Sequence, residues 1–435
     1  MREITRRGPR VSTYSVDRTH RLDVVHVDPY QSARIRVRDS LRPRMIAALR
    51  SLPRTVWLLG MISLVNDAAS DMIYPLVPLY LTGVLMAGPK ALGLIEGIAE
   101  AVSSLLKLLA GVLADRTHKI RYWVIAGYGV AGIARPLIAF ATSWFGVLVC
   151  RFADRVGKGL RTAPRDALLT LSVAPGQRGL AFGFHRAMDN LGAVIGPLIA
   201  AALLALGMPL RHVLLCAFVP AAIVLWLALA VPDPEREAVV EKVPFSWNLR
   251  EFPPAFKRYL VVLGLFMLGN SSNMFLLLRA KELGLDEASI PLLWALVSFV
   301  AAVLSTPLSA LSDRMDRRSM IVAGWTIYAV LYLLFGLMPA NPWLLWPMFA
   351  AYGVFLAATE GVEKALVADM VPRGQSGTAF GWYNLVVGML LLPASALFGW
   401  IWAAWAPLSA FAFGSCCALL AAILLRFWVA AGKSA

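Results

Sequence analysis

The chain has 435 residues, 59% of them hydrophobic and only 15% charged, with a mean hydropathy of +0.68. A soluble domain is closer to about 45–50% apolar and about 25% charged, so the composition excludes a soluble protein and places the chain in a lipid bilayer. The formal net charge of +15 does not point to nucleic acid, because the basic residues crowd ahead of the first apolar run and in short turns.

Residues 1–54 carry a run of arginines from Arg2 to Arg54 and lack an uninterrupted apolar stretch, so they are not a secretory signal. Glu3, Asp17, Asp23, Asp28 and Asp39 argue against a transit peptide. The expectation is a disordered, cytoplasmic basic arm on anionic lipid, where each Lys or Arg contributes roughly 1 kcal/mol. The alternative is initiation at Met45, with residues 1–44 untranslated.

From Val56 onward, apolar runs of helix-spanning length follow one another. The expected spans are 56–83, 91–114, 122–142, 144–172, 178–205 and 212–231, then 259–280, 287–311, 319–338, 342–370, 377–403 and 407–430. This gives an N-terminal six-helix half (55–231), a central loop (232–258), a C-terminal six-helix half (259–430) and a tail (431–435). Two echoes support duplication: Asp115-Arg116 returns 198 residues later as Asp313-Arg314, and Ala181-Phe182-Gly183 returns at the same offset as Ala379-Phe380-Gly381. A membrane protein built from two similar halves is first of all a transporter. Basic turns (Arg116/Lys119/Arg121, Arg161/Arg165/Arg178, the central loop, Arg314/Arg317/Arg318) alternate with poorly charged ones, which places both termini on the cytoplasmic side of a bacterial inner membrane. Cys150, Cys216, Cys416 and Cys417 lie in apolar runs without metal-ligand spacing, so neither a disulfide framework, a metal site nor a cofactor is expected.

An ionisable residue inside a span costs a few kcal/mol and needs a reason. The first half has many: Asp67 and Asp71 four apart in span 1, Glu96 and Glu100 four apart in span 2 with Lys107 beyond, Arg135 in span 3, Arg151, Asp154, Arg155 and Lys158 in span 4, and His185 and Asp189 in span 5. Asp71 and Glu96 lie deepest. One reading makes at least one of these carboxylates a proton-coupling site; the other makes them structural ion pairs. At the matching positions of the second half, Trp294 and Ser298 stand where Glu96 and Glu100 do, and Glu360, Glu363 and Lys364 in span 10 are the exception. Arg165 and Asp166 have Glu363 and Lys364 as equivalents of opposite sign, so Arg165–Glu363 and Asp166–Lys364 are expected to pair across the halves as an inner gate. Tyr74, Phe184, Trp294 and Trp382 are candidate cavity-lining rings. Asn270, Ser271, Ser272 and Asn273 form a polar knot in span 7 that either bonds across helices or faces the cavity.

Twelve helices in two halves with an Asp-Arg turn between spans 2 and 3 resemble the major facilitator superfamily over about residues 55–430. In that family's Gly-x-x-x-Asp-Arg-x-Gly turn and its following basic pair, Gly111, Asp115, Arg116, Lys119 and Arg121 match, while His118 replaces the second glycine. In the second half Asp313, Arg314, Arg317 and Arg318 match, with Ser309 and Asp316 in place of the glycines. The resemblance implies that these turns gate the inner side. Span 5 resembles the glycine-proline helix of the antiporter branch at Gly183, Gly192, Gly196 and Pro197, with Ala200 for the last glycine; ordinary close packing is the simpler account of the same residues. In span 4, Arg151 matches that branch's arginine, but Asp154 and Arg155 replace its Gln and Gly.

The sequence thus leads to an all-α integral membrane protein working by alternating access. The first expectation is a proton-coupled exporter of a small amphipathic molecule (a drug, metabolite or siderophore). The alternatives are a proton symporter for a small organic anion, using Arg135, Arg151, Arg155 and Lys158, and a non-transporting receptor on a transporter scaffold. No nucleotide loop, metal cluster or nucleophile triad suggests an enzyme. The expected partners are the substrate, protons and lipid, with no nucleic acid and a monomeric chain.

Overall fold

The computed structural model describes residues 52–117, 120–174, 177–232, 249–312, 315–371 and 376–429. Among these no strand occurs, and the chain is helical throughout. Span 1 is broken into α1 (Arg54–Ile73) and α2 (Leu76–Gly83) by Pro75, which cannot donate to the helix ladder. There follow α3 (Pro89–Thr117), α4 (Ile120–Leu137), α5 (Trp144–Leu171), α6 (Arg178–Ala205), and span 6 as α7 (Leu210–Leu215) with α8 (Phe218–Leu229). The second half repeats the plan. Span 7 is α9 (Pro254–Gly269) and α10 (Met274–Glu282), followed by α11 (Ile290–Ser312), α12 (Arg317–Leu337), α13 (Leu345–Asp369), α14 (Ser376–Ala404) and α15 (Pro407–Phe427).

Among the described residues, nine of these segments are long and apolar enough to cross a membrane. The other three are α3, α5 and α11. Helices α3 and α5 have 29 and 28 residues, ample length at about 1.5 Å per residue. Helix α5 falls short on composition because of Arg151, Asp154, Arg155 and Lys158, and α3 carries Glu96, Glu100 and Lys107 in its described part.

Packing repeats between the halves. In the first, α3 packs on α5, α4 on α5, α1 on α6, α4 on α8 and α1 on α8; in the second, α11 packs on α13, α12 on α13, α9 on α14, α12 on α15 and α9 on α15. The halves meet through α3 against α14 and through α6 against α11, themselves a symmetry-related pair. Where α2 and α10 end, they also touch, with Lys281 Nζ against Gly83. Close approach requires glycine at the seam between α3 and α14, where an added side chain on Gly97 would sit 2.9 Å from the Leu392 backbone.

The interiors differ although the frames match. The second half is filled with rings: Phe266 stacks on Trp325 at 4.4 Å and Tyr328 on Tyr332 at 4.1 Å. The polar knot of span 7 is the break between α9 and α10, and it bonds across helices. Tyr328 Oη donates to the Gly269 carbonyl (3.0 Å), Tyr352 Oη to Asn273 Oδ1 (2.6 Å), and the Ser272 N–H to Ser395 Oγ (3.1 Å). Tyr328 and Ser395 thereby meet backbone groups that the break leaves unpaired, and Tyr352 fixes the Asn273 side chain.

Asp316, which stands where the resemblance leads one to expect glycine, is the N-cap of α12 and accepts from Ser319 N (3.0 Å) and Ser319 Oγ (2.6 Å). The Ser319 hydroxyl and N–H hold this exposed carboxyl below the ordinary Asp value. A depressed folded-state value stabilises above the unfolded one and is lost as pH falls through the folded one. Asp316→Ala is therefore expected to cost about 1 kcal/mol at neutral pH, with the deficit closing below about pH 4. Thermal unfolding in detergent at both pH values checks this, with Asp316→Ser retaining most of the stability.

Candidate functional site

The charged residues of the first half assemble into one buried network, because helices that cannot reach water must satisfy each charge with another. Asp154 of α5 is its centre and has no solvent exposure. Arg135 of α4 donates to Asp154 Oδ1 at 2.7 Å, and Arg151, one turn before Asp154, reaches Oδ2 at 3.4 Å. Arg151 also grips Glu96 Oε1 of α3 through Nε (2.8 Å) and Nη2 (2.6 Å). Arg155 joins Asp154 (3.6 Å) to Glu100 of α3 (2.8 Å). The remaining reach of Arg135 is used on Asn66 of α1, whose side-chain and backbone oxygens accept at 2.9 and 3.2 Å. Three arginines thus face three carboxylates, and one neutral amide ties the cluster to α1.

The carboxylates of α1 are outside this network. Asp67 and Asp71 are half-buried, and neither makes an ion pair with a described residue. Asp67 accepts from Asn66 Nδ2 at 2.8 Å. Asp71 accepts from the indole N–H of Trp294 at 3.2 Å, and Trp294 belongs to α11 in the other half. Tyr74, one turn on, lies 4.9 Å from the same indole ring. Nearby, Asp189 of α6 accepts from Ser63 Oγ and stands 3.5 Å from His185 Nδ1.

A family model described as Major Facilitator Superfamily matches residues 59–278 and again 259–435. The chain belongs to the major facilitator superfamily. It is 33% identical over 388 residues to an uncharacterized MFS-type transporter of Methanocaldococcus jannaschii, covering 87% of this chain and 96% of that one. It is 23% identical over 328 residues to the multidrug resistance protein MdtH of Salmonella newport, covering 72% of this chain and 78% of MdtH. Solved structures share the fold. A bacterial homolog of the human lysosomal transporter Spinster, inward-facing and unoccupied, superposes with a TM-score of 0.65 at 16% identity, over 86% of this chain and 94% of that one. A POT family transporter in complex with 5-aminolevulinic acid gives 0.72 at 11%, over 87% and 96%. This is a multi-pass membrane transporter fold.

Against this superfamily frame, the expected inner-gate pairs Arg165–Glu363 and Asp166–Lys364 are not formed. Arg165 turns to its own neighbour Asp166 (2.8 Å), and Lys364 to Glu360 one turn back (3.2 Å). Glu363 is buried and accepts instead from Trp325 and Tyr383. The cross-half pair on this side is instead Arg186 of α6 with Glu360 of α13, at 3.1 Å and half-exposed.

Of the two gating turns, Lys119, Asp313 and Arg314 lie outside the described residues, as do the side chains of Gly111, Asp115 and Arg116. The remaining basic residues tie helix ends. Arg121 donates to the Leu229 carbonyl at the end of α8 (2.7 Å), and Arg318 to the Val429 carbonyl beyond α15 (2.6 Å), cations at matching helix C-termini. Arg317 bonds Asp369. In α6, Gly192 and Gly196 lie directly on the α1 backbone at Leu64 and Ala68, whereas Gly183 faces open space; the helix carries Pro197 within it. Close packing of α1 on α6 therefore accounts for two of the three glycines.

Sequence reasoning missed Asn66, Trp294 and the pair Trp325 and Tyr383 as polar partners. Trp294 carried no signal for its role, since it meets Asp71 across 223 residues of chain.

Removing one partner of a buried pair strands the other charge at a cost of about 3–5 kcal/mol, while replacing both with apolar groups is close to neutral. Glu96→Gln is expected to lower thermal stability by that order, and Glu96→Met combined with Arg151→Leu to recover most of it. Unfolding of the purified variants in detergent measures both.

Proposed function

We propose that the chain is a proton-coupled exporter of a small amphipathic molecule, with Asp71 as the carboxylate that takes up and releases the proton. The observation that carries this reading is the partner of Asp71. Glu96, Glu100 and Asp154 are each matched by an arginine, so protonating one of them strands a buried cation. Asp71 has the neutral Trp294 indole as its hydrogen-bond partner and no ion-pair partner among the described residues, with Lys158 and Arg135 acting on it only from farther off, so a proton can come and go without breaking an ion pair. That indole belongs to the opposite half. A hydrogen bond to a charged acceptor contributes about 1 kcal/mol more than one to a neutral acceptor. Protonation therefore loosens the link between α1 and α11 and shifts the balance between two arrangements of the halves roughly fivefold. The name of the MdtH relative supports efflux as the direction. On this reading both termini are cytoplasmic and the membrane is a bacterial inner membrane, which the distribution of basic turns supports.

A second reading, uptake of a small organic anion with a proton, is favoured by Lys107 and Lys158. Both are half-buried on α3 and α5, and neither makes an ion pair with a described residue. They offer two cations to a carboxylate.

Flux in inverted membrane vesicles under an imposed pH gradient separates the two, using a pH-sensitive dye and a panel of lipophilic cations, siderophores and organic acids. For the exporter, solute-dependent proton release is expected in the wild type and at least tenfold less in Asp71→Asn. Retained release in Asp71→Asn removes Asp71 from the role. Uptake of an organic acid that disappears in Lys158→Ala, with no response to the amphipaths, assigns the chain to symport. Silence across the whole panel favours a receptor.

A further inference from the structure

Among the described residues, the second half holds one buried carboxylate that neither the packing nor the reading above uses. Glu363 on α13 is 7% exposed. The indole N–H of Trp325 on α12 donates to its Oε1 at 2.9 Å, and the hydroxyl of Tyr383 on α14 donates to its Oε2 at 2.8 Å. Both donors are neutral. Among the described residues no cation lies within ion-pairing distance of Glu363. Lys364, next in sequence, is 3.2 Å from Glu360, where Arg186 of α6 also binds at 3.1 Å. The other titratable group near it is Tyr259 on α9, fully buried, whose hydroxyl has no hydrogen-bond partner.

An unpaired charge in a bilayer interior costs several kcal/mol, and a side chain that tolerates it is kept for a reason. This pocket is built for either protonation state. With Glu363 ionised, the indole and the phenol donate one bond to each oxygen. With Glu363 protonated, its hydroxyl donates to Tyr383 Oη, since a phenol accepts as well as donates, and the indole keeps its bond to the other oxygen. A structural carboxylate has no need of a reversible partner, and the nearby ion pairs show that Arg and Lys were available to fix it. The route for a proton is short: Glu360, one turn away on the same face of α13, is half-exposed.

We propose that Glu363 is a second proton-binding site, in the C-terminal half, with Trp325 and Tyr383 as its positioning residues. Its readout in the fold is α14. Tyr383 sits on the helix that packs against α3 across the halves, so reversing the direction of the Glu363–Tyr383 bond acts on that interface. The site is separate from Asp71, lies in the other half and stands whatever the direction or substrate of transport.

Infrared difference spectra of the full chain in lipid, recorded between alkaline and acidic buffer, read protonated carboxyl groups directly and need no substrate. The wild type is expected to give a carboxylic-acid carbonyl band that Glu363→Gln abolishes and that Asp71→Asn leaves in place. Tyr383→Phe removes one hydroxyl without changing the ring, and it is expected to shift the frequency of that band. Superimposable wild-type and Glu363→Gln spectra across the full pH range would overturn the proposal. So would a Tyr383→Phe band at the wild-type frequency, and this outcome decides the matter where Glu363→Gln does not fold. Loss of the Asp71 band with the Glu363 band intact, or the reverse, tells failure of one site from failure of the other.

Discussion

Everything in the first half depends on one constraint, which is that a charge taken into the bilayer interior must find its opposite there. Asp154 answers it by sitting at the meeting point of Arg135, Arg151 and Arg155, with Glu96 and Glu100 completing the balance. The same residues that lower the apolar character of α3 and α5 are those that hold α3, α4 and α5 together, with Asn66 bringing in α1. Four helices are thereby fixed in rotation as well as position, since a turn of any one would carry its charged stripe away from its partners. The net worth of such a network in stability is small once desolvation is counted. Its consequence is specificity of arrangement, since each charge fixes which helix faces meet.

The second half meets the same geometric demand with rings instead of ions. The pairwise packing of its helices reproduces that of the first half, yet Phe266, Trp325, Tyr328, Tyr332 and Tyr352 occupy its centre. A duplicated backbone has been filled by two chemistries. Aromatic packing needs no neutralisation, so α9 can break at Asn270–Asn273 and have freed backbone groups met by the Tyr328 hydroxyl and Ser395 Oγ. One wall of the molecule is held by charge and the other by stacking, and the hydrogen bond from Trp294 to Asp71 joins a ring of the second to an acid of the first half.

Much of the architecture was legible in the sequence, because length, hydropathy and a 198-residue echo are local or global properties that need no three-dimensional information. The all-helical membrane class and the order of the spans followed from them. The internal break at Pro75 did not, since the apolar run continues through it. The charged residues were legible as a set but not as pairs. Arg151 meets Glu96 across 55 residues and Arg135 meets Asp154 across 19, and nothing in either local stretch names the partner. The inner-gate expectation failed for the same reason. Equivalence by duplication matched Arg165 to Glu363 by sign, whereas side-chain direction and burial send Glu363 toward Trp325 and Arg165 toward Asp166. Symmetry predicts where backbones lie, and side-chain rotation decides what they touch.

The partners also sort the acids by what each is able to do. A carboxylate clasped by arginine is committed, because giving it a proton leaves a cation unmatched in a medium that penalises unmatched charge by several kcal/mol. A carboxylate held only by neutral donors is not committed, because a carboxylic acid can keep or reverse the same bonds. Glu96, Glu100 and Asp154 fall in the first group, Asp71 and Glu363 in the second, and the division cuts across depth: the first group holds the buried Glu96 and Asp154 with the half-buried Glu100, and the second the buried Glu363 with the half-buried Asp71. Depth alone, the criterion available from sequence, therefore picks Glu96 and Asp71 together although they belong to different groups. The indole donors of Trp294 and Trp325 are what separate the two kinds. An indole N–H can only donate, so it supports an acceptor oxygen in either protonation state and never competes for the proton itself. That property suits a site through which protons pass, and an arginine in the same place would have held the acid permanently charged.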